Sequence, residues 1–101
     1  MGIRTSYSAD TNFLTIAVEG RFDFSAHQEF RAAYEEADPQ PAGFNVDMSE
    51  TNYLDSSALG MLLLLRDHAG GDGANITIEN CSADVKKILT ISNFEQLFTI
   101  K

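Results

Sequence analysis

The sequence predicts an α/β fold, with one mixed sheet of four or five strands and about three helices packed on it, in a single domain over residues 1–101. Three observations predict it. Near the N-terminus, two strand-like segments flank a turn cluster. Two segments carry apolar residues at helical spacing. Between them a strand, a strongly apolar helix and a second strand follow in that order, which in one sheet makes a right-handed parallel crossover. A length of 101 residues fits one domain able to bury its own core.

Arg4 to Ser8 is the first strand. Asp10-Thr11-Asn12 is a turn, and in Phe13 to Glu19 the residues Leu14, Ile16 and Val18 alternate with Thr15 and Ala17, the period of a half-buried strand. The short turn makes the two an antiparallel hairpin. Ser25 to Ala37 is a helix. Ser25 and Gln28 form a capping box, Ala26, Phe30, Ala33, Tyr34 and Ala37 form its apolar stripe, and Asp38-Pro39-Gln40-Pro41 stops it. Phe44 to Met48 is a third strand and Ser49 to Leu54 a loop. Asp55-Ser56-Ser57 then supplies caps for an apolar helix over Ala58 to Ala69, which Gly70-Gly71-Asp72-Gly73 ends. The leucines at 59, 62, 63, 64 and 65 cover most of its circumference, so cover is expected on more than one face. Asn75 to Glu79 is a fourth strand. Ser82 caps a last helix to Ile91 that buries Val85, Ile88 and Leu89, Asn93 closes it in the left-handed conformation, and Leu97 to Ile100 is a short final strand.

Charge and composition exclude several classes. Fifteen acids against seven bases give a net charge of −8, and the bases are scattered, so neither nucleic acid nor an anionic membrane surface is an expected partner. The longest apolar run, Ala58 to Leu65, is far short of the ~20 residues of a membrane span, so no direct membrane insertion is expected. No signal peptide is visible, and a Met-Gly-x-x-x-Ser match at Gly2 and Ser6 is expected to be chance if this segment is a strand. One cysteine and no export signal point to a reducing, cytoplasmic setting. Two histidines and one cysteine, widely spaced, give no metal pattern, and no cofactor is implied.

The start of the apolar helix has two readings. Asp and Ser are preferred caps, and any helix can begin this way. A helix end also favours an anion through its free amides and dipole. A phosphoserine there adds about −1.5 to −2 charges, which Asp55 would oppose.

The stretch Phe44-Asn45-Val46-Asp47-Met48-Ser49, followed by Tyr53-Leu54-Asp55-Ser56-Ser57-Ala58-Leu59-Gly60, resembles the signature of the STAS domain. That family holds the bacterial anti-sigma factor antagonists and the cytoplasmic tails of sulfate transporters. Val18-Glu19-Gly20-Arg21-Phe22-Asp23, Asn80-Cys81-Ser82-Ala83-Asp84-Val85 and the segment from Leu89 to Ile100 resemble the family elsewhere, in order, over nearly the whole chain. The resemblance implies a single STAS domain with Ser56 as the phosphorylated position and Asp23, Asp55 and Ser57 as partner-binding and switch residues. It implies a partner switch. The unphosphorylated protein binds an anti-sigma factor, often a serine kinase, phosphorylation of Ser56 breaks the complex, and a PP2C-like phosphatase resets it. The alternative within the same fold is a constitutive STAS subunit of a lipid-transport or transporter complex. Ala58 stands where the family usually has Gly, and its methyl is expected to crowd a close partner backbone. The sequence ends at Lys101, where many relatives continue into a further acidic helix, so some partner surface is expected to be supplied differently.

An enzyme is not expected, and no catalytic residue is assigned. There is no G-x-S-x-G elbow, and His68 lies roughly 18 Å from Ser56 at ~1.5 Å per helical residue, beyond the reach of a general base. His27 is expected to be a solvated helix residue. Gly70 to Gly73 comes after a helix and precedes a strand, the reverse of a phosphate loop. Phe22, Phe24, Tyr53 and Phe94 are read either as core or as partner anchors. Cys81 is expected to be at least half-buried, and Lys86-Lys87 to decorate an exposed face.

Overall fold

The structure is a computed structural model and describes residues 2–37 and 40–101. It contains β1 (Gly2–Ser8), β2 (Phe13–Phe22), α1 (His27–Glu35), β3 (Gly43–Asp47), β4 (Thr51–Leu54), α2 (Ser56–His68), β5 (Ile76–Glu79), α3 (Ala83–Ile91) and β6 (Thr99–Ile100). Short 3₁₀ turns precede α1, β5 and β6. The sheet has six strands in the order β1-β2-β3-β5-β6, with β4 added on β2. β1 and β2 form the expected antiparallel hairpin, and every other pair is parallel. The stop assigned to Asp38 and Pro39 lies outside the described residues.

Alternation along the strands sets the core. Leu14, Ile16 and Val18 of β2 share a face with Phe44 and Val46 of β3 and with Ile76 and Ile78 of β5, and all seven are buried. Phe30 and Tyr34 of α1, Ala58, Met61, Leu62 and Leu65 of α2, and Val85 and Leu89 of α3 complete the cluster. On α2 the buried positions fall on one stripe, while Leu63 and Leu64 stay 41% and 49% exposed. The expectation of cover on more than one face therefore fails: the helix is more apolar than its packing uses.

Two further expectations are corrected. The segment from Ser49 to Leu54 is not all loop, because Thr51 to Leu54 pairs with the far end of β2. β3 and β4 are two pieces of one path along β2, separated by a jog at Met48–Glu50. β2 advances three residues from Ala17 to Gly20 while its neighbour advances four from Asp47 to Thr51. Gly20 closes this jog and opens a second register shift, where Gly20 and Arg21 face Thr51 and Tyr53; its φ of +81° is a left-handed conformation that glycine adopts without steric cost. The jog is tied on both sides. Asp47 Oδ1 accepts from the Ser49 amide (3.0 Å) and Asn80 Nδ2 (3.1 Å), and the buried Thr51 hydroxyl donates to the Val18 carbonyl (2.7 Å). The capping box on Ser25 also fails. Its amide and hydroxyl both donate to Asp23 Oδ1, which pulls residues 24–26 into a 3₁₀ turn and delays α1 to His27.

Candidate functional site

β2 and β4 run parallel, with Arg21 beside Tyr53 and Phe22 beside Leu54. Each strand ends in a buried apolar residue with an aspartate directly after it. Asp23 and Asp55 thus leave the sheet side by side, close enough for the charge of Asp23 to act on Asp55. Asp23 caps the 3₁₀ turn and Asp55 caps helix α2. Ser56 and Ser57 open α2, so the four residues singled out in the sequence meet at one end of the molecule.

Their roles differ. Asp55 Oδ1 accepts from the Ser57 hydroxyl (2.6 Å) and the Ala58 amide (3.2 Å). The Ser57 donation is the main reason the Asp55 carboxyl is held below its ordinary range; partial desolvation and the charge of Asp23 act the other way. Asp23 is also held low, first by the Ser25 hydroxyl and amide, then by Arg21. Both are ionised at neutral pH. Ser57 is half-buried with its hydroxyl engaged, whereas Ser56 is exposed. Ala58 is fully buried, so its methyl fills the core and does not meet a partner, contrary to the sequence expectation.

Arg21 is the site residue that sequence reasoning missed. Its Nε donates to Asp23 Oδ2 (3.2 Å), and its guanidinium lies 4.1 Å from the Tyr53 ring centre. The available signal was the two-residue spacing to Asp23 at the end of a strand, which puts both on one side. The aromatic residues divide. Phe22 and Phe94 are core, while Phe24 is 70% exposed, stacked on His27 with ring centres 5.3 Å apart, and Tyr53 is 40% exposed. His68 lies at the other end of α2 against Tyr34 and Phe44. Cys81 is half-buried, with its thiol pushed up by desolvation, and Lys86 and Lys87 are exposed as expected. Among the described residues no cluster of three or more metal-binding side chains occurs, and no helix is long and apolar enough to cross a membrane.

An exposed hydroxyl on the first turn of a helix packed on the core along one stripe, beside two ionised caps and two exposed aromatic rings, is a surface equipped for contact. Comparison with known proteins agrees with the fold that carries it. The chain is similar to a putative anti-sigma factor antagonist from Thermotoga maritima (TM-score 0.83, 14% identity, 97% of this chain and 84% of that one). It is similar to the anti-sigma factor antagonist SpoIIAA in its unphosphorylated form (TM-score 0.76, 16% identity, 99% and 87%). It is also similar to a sulfate transporter family protein from Wolinella succinogenes (TM-score 0.75, 13% identity, 90% and 73%). In sequence it is 61% identical over 100 residues to a STAS-domain containing protein of Pseudomonas aeruginosa strain UCBPP-PA14, covering 99% of each chain. The family model STAS_2, described as "Mlab, STAS domain", matches residues 5–99. With a match running from β1 to β6 and a relative aligned from end to end, this chain belongs to the STAS-domain family.

Proposed function

We propose that this protein is a non-enzymatic binding module of the anti-sigma antagonist kind, whose grip on a cytoplasmic anti-sigma factor or serine kinase is broken by phosphorylation of Ser56 and restored by a PP2C-like phosphatase. One observation carries the reading: at the start of α2, Ser56 is exposed while Ser57 is bound to Asp55. A kinase meets the Ser56 hydroxyl first. Phosphate there adds about −1.5 to −2 charges beside the carboxylates of Asp55 and Asp23. Phosphate oxygens can take the helix-start amides, so the fold tolerates the group while a close partner does not. Phe24 and Tyr53 supply the apolar contact that charges alone do not give.

A non-enzymatic role is supported by the surroundings of the two imidazoles. The His27 ring is stacked on Phe24, and His68 packs at the opposite end of α2. A second reading, a constitutive STAS subunit of a lipid-transport or transporter complex, draws support from the description of the matched family and from the sulfate transporter relative in fold. One experiment separates them. Native protein is purified with its partner, and bound and unbound fractions are compared by mass spectrometry at Ser56. Phosphate confined to the unbound fraction supports the switch. An unmodified Ser56 in both fractions favours the constitutive module.

A further inference from the structure

The sheet has two unlike edges. β6, at one side, is two residues long. β1, at the other, runs seven residues and among the described residues pairs with β2 alone. Folded proteins protect open edges with short strands, lysine, proline, bulges or inward charges. β1 has no lysine or proline, its register with β2 runs unbroken from Gly2 opposite Glu19 to Ser8 opposite Phe13, and its one charge, Arg4, is paired with Glu19 (2.8 Å) and Glu50 (3.5 Å) of the same chain. Arg4 to Ser8 are all exposed. At ~3.3 Å per residue the seven-residue strand offers an open edge of roughly 23 Å.

We propose that β1 binds β1 of a second copy of this chain, antiparallel and centred on Thr5, so that the sheet continues across a two-fold axis. The segment is self-complementary in that register. Thr5 faces Thr5, each Arg4 faces a Ser6, and each Ile3 faces a Tyr7. Ile3 and Tyr7 lie on the helix-bearing face, because they pair with the buried Val18 and Leu14 of β2. Ile3 already packs on the core and Tyr7 is 40% exposed, so the new pairing covers the tyrosine ring with an aliphatic neighbour, a stabilising cross-strand combination. Keeping both helix layers on one side requires shifts of two residues. The shifts that centre on Arg4 or on Ser6 pair only five of the seven residues and leave Tyr7 or Ile3 without a cross-strand partner, so the register centred on Thr5 is favoured. The net charge of −8 on each copy opposes association, and salt at ~0.15 M screens it beyond ~8 Å. The β1–β2 pairing ends at Glu19, before the strand reaches Asp23, so both copies keep their Ser56 faces open. The dimer therefore does not depend on the proposed Ser56 switch.

The test is sedimentation of the full chain at ~0.15 M salt from micromolar to millimolar concentration. A monomer–dimer equilibrium is expected. Thr5→Lys, which sets two ammonium groups against each other on the two-fold axis, should weaken it at least about tenfold, whereas Thr5→Val should not. Thr5 is exposed, so both variants should melt like the parent. In a Cys81→Ser background, Thr5→Cys should cross-link to a covalent dimer in oxidised glutathione while Ser8→Cys, which faces Gly2, should not. A chain that stays monomeric throughout, or a dimer indifferent to Thr5→Lys, overturns the proposal.

Discussion

α1 and α2 both follow a strand with an aspartate directly after it, and both aspartates cap the next turn of the chain. Asp55 leads straight into thirteen residues of helix whose third residue, Ala58, is fully buried. Asp23 leads into a three-residue 3₁₀ turn with no buried residue, ending in a helix whose own cap position, Ala26, makes no side-chain bond. The cap chemistry is the same; the core behind it differs. The α2 start is held by packing, whereas Phe24 is held by local hydrogen bonds and a stacked ring. In the proposed switch, one fixed half and one adaptable half would place the Ser56 hydroxyl accurately while letting the Phe24 side chain fit a partner's socket.

The comparison breaks first at the core. Leu62→Ala should lower stability by ~2–5 kcal/mol, a large part of the ~5–15 kcal/mol of a small domain, whereas Leu63→Ala should stay within ~0.5 kcal/mol. Urea melts of the two variants measure the difference. If Leu62→Ala melts like the parent, packing does not hold the α2 start. Next is the fixed half of the face. Ser56→Asp should weaken partner binding about a hundredfold, ~2.7 kcal/mol, with the melting temperature unchanged because a carboxylate suits a helix N-terminus. Ser56→Ala should bind like the parent. Calorimetric titration decides, and equal affinities for the two would end the charge-switch account. On the adaptable half, Phe24→Ala should weaken binding by at least about tenfold, ~1.4 kcal/mol, without moving the melt. Loss of stability in place of affinity would make Phe24 a structural residue.

The smallest effect concerns the caps. Both carboxyls sit below their ordinary value in the folded chain, so their contribution to stability is complete above the unfolded value near ~3.9 and fades as pH falls through the folded one. Melts between neutral and strongly acidic pH should therefore decline at the acid end. Asp55→Ala should remove more of that decline than Asp23→Ala, since only Asp55 caps a core-packed helix. The reverse order would mean that the 3₁₀ turn is the better anchored of the two.

Local chemistry decided the features that were legible in the sequence. The Asp55 cap, the Ser82 cap, the left-handed Gly70 and the left-handed Asn93 all stand where their residue types suggest. The four site residues converge because strands ending in apolar–Asp pairs run parallel, which the family resemblance implied and spacing alone did not. Distant partners decided the features that stayed hidden. Thr51 to Leu54 is four residues long, and its pairing with β2 depends on a jog fixed by Asp47 and Asn80, 33 residues apart. The Ser25 cap failed because Asp23 takes the same groups first, and Leu63 and Leu64 look like core until the placement of the neighbouring helices is known.

The jog between β3 and β4 has a dynamic consequence. β3 lies between β2 and β5, with neighbours on both sides, whereas β4 pairs with β2 alone. Local opening is easiest where a strand has fewest partners. The amides of Thr51–Leu54 should therefore exchange with solvent deuterium sooner than those of Gly43–Asp47, although the two segments lie on one path. The chain leading into Asp55 and Ser56 then behaves as a small opening unit hinged at Met48–Glu50. A partner seated on the α2 start would slow exchange there and leave β3 as it was.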